Sequence, residues 1–301
     1  MTARIAVLPS VQRARKVARV TRAAPLTYPL TEETAYVGEL YALARGQTVQ
    51  MQARLIPRLE AVARGAEKRL PRMDDRGERL SALMGDLKGM FGIATKEARR
   101  VAGRMLDMVS GRHAVEFGDK YRGLIRVNPM VGDEKWLPYA MELATERNVA
   151  LIQDIPAQLR KEAERVISDG IAAQRPAKDI AEQLVQRAGV MESRAIMIAR
   201  DQTGKWFSDL QRLRQIDAGV VAYVFSTSRD ERVRRRHAIM EGRRIRWDDP
   251  PPIGPRGERL HPGQDYLCRC VAAPSLDEDE EEAEPASVIE GIQSIWHWAK
   301  R

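Results

Sequence analysis

Apolar residues recur at helical spacing over most of the chain, and the period changes only beyond Gly219. The stretch "TEETAYVGELYALARGQTVQMQARLIPRL", from Thr31, carries acids in its first turn, where the positive end of a helix dipole favours them. Pro57 ends or kinks that helix, because proline has no amide to donate and crowds the turn before it. Residues 60–112 are rich in Arg, Lys, Glu and Ala with few turn signals, and predict two or three helices. Further on, Ile155, Leu159, Ala163, Val166 and Ile167 share one helical face, and Gly170 suits a C-terminal cap. The device repeats: Pro176 opens a helix, Ile180, Leu184, Val185 and Ala188 form its stripe, and Gly189 ends it. A third helix starts near Met191. These stripes read as core-packing faces and imply no ligand.

After Gly219 "VVAYVFSTS" is β-branched and aromatic, which predicts a strand. "RRIRWDDP" and "YLCRCVAAP" predict two more short strands. Between them lies "PPPIGPRGERLHPG", a loop with five prolines and three glycines in fourteen residues. The fold class is therefore α+β: a mostly helical N-terminal and central part with a small β-rich C-terminal element. Residues 1–35, broken by Pro9, Pro25 and Pro29, read as an extended arm, with "APLTYPLTEE" a linker that docks. Residues 36–149 form a helical domain.

Charge sharpens this division. The net charge is +8, but residues 1–31 hold six Lys or Arg and no acid, while residues 277–284 hold seven acids in eight. Residues 275–301 read as an acidic tether followed by an amphipathic segment, with Val288, Ile289, Ile292, Ile295 and Trp296 at helical spacing. That apolar face needs a home, on a partner or on its own domain. Arg13, Arg15, Lys16, Arg19 and Arg22 in the arm, and Arg234, Arg235, Arg236, Arg243 and Arg244 in the arginine-dense stretch, are candidate contacts to nucleic acid or an acidic partner. No apolar run is long enough to span a bilayer, and no signal-peptide core is present, so the expectation is no membrane and a cytoplasmic start.

The only two cysteines, Cys268 and Cys270, lie in "LHPGQDYLCRC". A mutual disulfide across one residue is strained, and two cysteines make no disulfide framework. The donors His237, His261, Cys268 and Cys270 fall within 34 residues. Two readings stay open. One is a zinc site using these four. The other, favoured here, is a metal-free turn in which Asp230 pairs with Arg232 or Arg269 and the cysteines pack as small buried groups. No catalytic residue emerges. A metal nuclease needs a general base beside a hydrated metal with open coordination. His113 and His297 are isolated, and Asp248 and Asp249 precede a triple proline as a turn. A sequence-reading DNA regulator would need a recognition helix, and none stands out.

The order of "IARDQTGKW" at 198–206, "AGVVAYVFSTSRDERVRRRHAIMEG" at 218–242, "HPG" at 261–263 and "CRC" at 268–270 resembles the phage Mu protein F / SPP1 head-morphogenesis family of minor head proteins. The resemblance covers about residues 150–272, within a head-morphogenesis domain drawn at 150–274. It implies a non-enzymatic virion protein of a tailed phage or prophage, made in the host cytoplasm and sited inside the capsid near the portal. It implies as partners the portal protein, capsid or scaffold proteins, and non-specific DNA. Relatives place a Cys-x-x-Cys where this chain has Arg234 and His237, and Ala-Arg-Thr-Glu where it has Ala199, Arg200, Asp201 and Gln202. The implied structural heart is Arg200, Trp206, Asp230, Arg232, Val233, His237, Gly242, His261, Pro262, Cys268, Arg269 and Cys270.

Overall fold

The computed structural model describes residues 23–67, 82–87, 89–125, 134–173, 175–275, 287–289 and 291–292. Its elements are α1 (Leu30–Gln50), a π-helical turn (Met51–Leu55), α2 (Ile56–Glu67), α3 (Thr95–Ile125), α4 (Leu137–Ala172) and α5 (Ala177–Asp217), then β1 (Ala222–Ser226), a short α6 (Arg235–Ala238), β2 (Arg244–Arg246) and β3 (Val271–Ser275). Residues 82–87 are also helical. Helices with a small three-stranded antiparallel sheet make this an α+β protein, as the periodicity predicts.

The chain divides into two compact units. One comprises Met1–Thr34, Gly103–Arg147 and Arg200–Arg301, the other Ala35–Ala102 and Asn148–Ala199. The dividing points fall inside helices.

In the second unit, Met51, Leu55 and Leu59 pack with Leu159, Ala163, Val166, Ile167, Ile180, Leu184 and Ala188 into one apolar cluster. Three local expectations are corrected here. Pro57 does not end its helix: the turn before it widens so that the Ile56 N–H reaches the Met51 carbonyl, and α2 continues. Gly189 lies inside α5, and Val185 of the predicted stripe is exposed. A helical glycine costs about 1 kcal/mol against alanine, less than burying Leu184, Ala188 and Ala195 returns. Gly170 lies inside α4, where a Cβ would come within 2.6 Å of Ile180 Cδ1, so the glycine admits the neighbouring helix.

In the first unit buried aromatic side chains, among them Phe117, Trp206, Phe207 and Phe225, sit within a largely aliphatic core. Trp206 is buried, and its Nε1–H donates to the Leu106 carbonyl and Ser110 Oγ, both at 3.1 Å. His113, expected to be isolated, is buried against Phe117 and Phe207. Burial, and then Arg214, push its pKa well down. Neutral Nδ1 can then accept from Arg214 at 2.8 Å, while Glu134 binds that guanidinium through both oxygens.

The sheet order is β2-β1-β3, with Phe225 opposite Ala272 and Val224 opposite Arg244. The central strand β1 is buried throughout. An edge strand exposes backbone groups that attract foreign strands. Here α5 covers β3: Gln215 Nε2 donates to the Ala272 carbonyl at 2.8 Å, and Gln211 Oε1 accepts the Ala272 N–H at 3.3 Å.

Residues 23–29 are extended but not free, and the helix begins at Leu30. Ala23 and Leu26 are buried, Lys120 donates to the Pro25 carbonyl and Glu116 accepts the Thr27 N–H. Arg13, Arg15, Lys16, Arg19 and Arg22 lie outside the described residues, as do the acidic run and His297. Of the closing segment, Val288 and Ile292 are buried and Ile289 is exposed. A Cβ on Gly291 would meet Leu213 Cδ2 at 2.8 Å, so this part docks on its own unit.

Burial raises the Asp209 carboxyl from 3.8 to about 6, with Arg147, Arg212 and Lys205 opposing the shift. The folded state therefore holds this proton more tightly than the unfolded chain. Its contribution to stability is fully present below about pH 4 and is lost as pH rises through about 6, by about 3 kcal/mol. Urea unfolding should show Asp209→Asn more stable than wild type at pH 7.5 and level with it near pH 4. A gap between the two proteins that does not change with pH refutes this account.

Candidate functional site

The cysteine segment is held by a polar stripe on α5. The Asp201 carboxylate accepts the Leu267 N–H at 2.9 Å and pairs with Lys205, one turn on. Leu267 has φ +52°, a conformation that L side chains adopt at a cost. At Gly204, one turn from Asp201, a Cβ would stand 3.3 Å from the Cys268 carbonyl. Ser208 donates to the Pro262 carbonyl. Gly263 has φ +83°, and a Cβ there would meet Ser208 Cβ at 2.5 Å. The glycine of "HPG" is thus required twice, by backbone conformation and by contact.

The turn after β1 is closed by two acids. Glu241 accepts from the Thr227 N–H at 2.6 Å and Oγ1 at 2.7 Å, and from Arg229 at 3.0 Å. Asp230 accepts the Arg232 N–H at 3.0 Å and pairs with Arg269, one of its two expected partners. Gly242, at φ +75°, turns the chain into β2.

His237 then points inward from α6. Its Nε2 lies 3.1 Å from Asp265 Oδ2, which also takes Arg236 at 2.7 Å and lies 3.5 Å from Arg234. On the opposite side of the ring, Nδ1 lies 3.4 Å from Cys268 Sγ and 3.6 Å from Cys270 Sγ. With Nε2–H donated to the carboxylate, the Nδ1 lone pair faces the sulfurs. The Cys268 thiol is drawn well below the ordinary thiol range by its hydrogen bond to Cys270, with His237 adding to the effect. That same bond and burial push the Cys270 thiol up.

His237, Cys268 and Cys270 are all buried, and their donor atoms lie within 4.8 Å of one another. Zinc with Zn–N of about 2.0 Å and Zn–S of about 2.3 Å in a tetrahedron needs N···S separations of about 3.5 Å. The two observed separations, 3.4 and 3.6 Å, bracket that value. A carboxylate behind the imidazole is the usual companion of a metal-binding histidine. These residues fit zinc, and they equally close a turn without it, the Cys270 thiol then donating to Cys268.

His261 does not join them, which corrects the four-donor expectation. Its Nδ1 bonds the Tyr223 hydroxyl at 3.0 Å, its ring also bonds the Trp247 backbone, and burial pushes its pKa well down. With both ring nitrogens occupied, it is a structural histidine under Trp247.

The arginines divide as well. Arg234 donates to the Tyr266 carbonyl at 2.7 Å and Arg236 to the Ile253 carbonyl at 2.6 Å, so both brace the loop. Arg244 donates to Ser275 Oγ at 3.1 Å. Arg235 and Arg243 are exposed. Asp265, Asp201, Ser208 and Glu241 were missed by sequence reasoning. Asp265 alone had a local signal, an acid two residues past "HPG".

Residues 157–273, from within α4 to within β3, match the model of the family described as phage Mu protein F like protein. Over that span the chain is similar to the phage Mu protein F-like family. That family is one of bacteriophage head-morphogenesis proteins, and the matched span contains the whole site. The chain is also 32% identical over 145 residues to an uncharacterized protein of Haemophilus influenzae. That match covers 48% of this chain and 31% of the relative, so the chain spans about a third of the relative's length. No solved structure matches significantly. Among the described residues, no helix is long and apolar enough to cross a membrane.

Asp265→Asn keeps the shape of the side chain but leaves Arg236 and His237 without their carboxylate. Breaking a buried pair costs about 3 kcal/mol or more, which urea unfolding followed by tryptophan fluorescence should report; a loss under about 1 kcal/mol, the worth of an exposed pair, contradicts it. Gly263→Ala should cost about 2 kcal/mol or more from backbone strain and the Ser208 contact together. A thermal melt unchanged by that substitution would show that the loop adjusts freely.

Proposed function

We propose that this chain is a minor head protein of a tailed bacteriophage or prophage, acting in head morphogenesis at the portal vertex and contacting packaged DNA inside the capsid. The observation that carries this reading is the Mu F-like match over residues 157–273. The work is binding, with the portal protein and capsid or scaffold proteins as partners and the capsid interior as its site after assembly in the host cytoplasm. Supporting this, acids near the cysteine loop are committed to structure. Asp265 holds arginines and a histidine, Asp230 holds Arg269, and Asp248 and Asp249 pair with Arg246 and Arg259. A base serving a metal-bound water would have to give up such a pair. Zinc on His237, Cys268 and Cys270 would then act as a structural clasp whose binding energy is folding energy.

Exposed Arg235 and Arg243, together with the basic N-terminal residues, suit phosphate contacts made without reading sequence. Two unrelated duplexes should bind with similar affinity, and log K should fall with log salt at a slope of about −0.9 per contacted phosphate. Purified heads should contain the chain by mass spectrometry. Its absence from heads would overturn the head-protein reading. The competing reading, a metal-dependent nuclease, predicts metal-dependent nicking of supercoiled plasmid that disappears in His237→Ala.

A further inference from the structure

The clasp has three protein donors, and one more feature surrounds it. His237, Cys268 and Cys270 form part of the wall of a cavity of about 430 Å³. The same wall carries Arg200, Arg232, Arg234 and Arg269. Arg269 is neutralised by Asp230, and Arg234 is tied to the Tyr266 carbonyl. Arg200 stands 3.6 Å from Glu33, a loose pair with an arginine that remains half exposed. Arg232 lines the cavity with an exposed side chain that no carboxylate holds among the described residues. Among those residues, no fourth His, Cys, Asp or Glu completes the donor group. Tetrahedral zinc takes four ligands, and a site with three protein donors keeps its fourth position open.

We propose that the fourth position opens into this cavity and is filled by a carboxylate from an acidic protein segment, held by Arg232 and Arg200. This rests on the metal reading of His237, Cys268 and Cys270. The charge balance suits it. A divalent ion with two thiolates is neutral, so it does not repel an anion, and the surrounding guanidiniums attract one. Arginine presents paired N–H groups that match a carboxylate. The depth of the site selects the carrier. The donors are only 1–5% exposed, so the incoming oxygen must arrive on a slender side chain. A duplex phosphate, carried on a wide rod, does not reach so far. The centre becomes a socket that an acidic partner locks.

The test uses the full-length protein with cobalt(II) in place of zinc, because cobalt's visible bands report its ligands. Wild type should take up about one cobalt per chain with a thiolate-to-metal band. Acetate and a hexaglutamate peptide should then shift the d–d bands saturably, with the peptide acting at lower concentration. Arg232→Ala should weaken the peptide effect at least tenfold while leaving cobalt uptake and the thiolate band intact. Three results overturn the proposal, each in its own way. No cobalt uptake removes the metal centre itself. Cobalt uptake with bands insensitive to acetate and peptide leaves the metal reading standing and shows a closed or water-filled fourth position. Bands that respond to inorganic phosphate and an oligonucleotide but not to carboxylates assign the socket to nucleic acid.

Discussion

A buried carboxylate must find cations or donors, or its pKa rises toward the neutral form. Asp265 is that carboxylate. It collects Arg236 and His237, with Arg234 close by, while its second oxygen accepts the Tyr266 N–H. One side chain thereby ties α6 to the segment between "HPG" and the cysteines. It also sets the state of His237, because a carboxylate at Nε2 leaves Nδ1 to the sulfurs. The orientation in which His237 meets the two sulfurs follows from that single contact.

The second constraint is α5. Its residues 201, 204, 208, 211 and 215 recur at three- and four-residue steps, so they share one face. An exposed helix face would be solvated there. This one is turned inward and acts as a template: Asp201 sets Leu267, Gly204 admits the Cys268 carbonyl, Ser208 holds Pro262, and Gln211 and Gln215 close the edge of β3. A Pro- and Gly-rich loop has little intrinsic order and large entropy to lose. Hydrogen bonds from a rigid helix supply the order that the loop lacks. Beside these, Gln202 accepts from Arg147 at 2.7 Å.

The head-protein reading and the open metal socket belong together. A protein that works by docking gains specificity from a site that is complete only when the partner arrives. The proposed socket, a buried donor set with one metal position facing an arginine-lined cavity, would have that property.

Much of the fold was determined by the sequence alone. Periods of 3.6 and 2 are local, so the core stripes at Ile155–Ile167 and Ile180–Ala188, the three strands and the change beyond Gly219 could be read directly; for Asp230 the sequence left Arg232 and Arg269 open as partners, and it grouped His261 with His237, Cys268 and Cys270. Local signals failed where neighbours outweighed them: Gly189 within a continuous helix, Gly170 under Ile180, and Pro57 after a π-turn. Only the tertiary structure decided that His261 belongs to Tyr223 and Trp247 and that Asp265 belongs to His237. The reason is physical. A donor's partner is set by where long loops close in space, and the Pro/Gly-rich chain between His237 and Asp265, 28 positions apart, carries no periodicity that encodes the meeting.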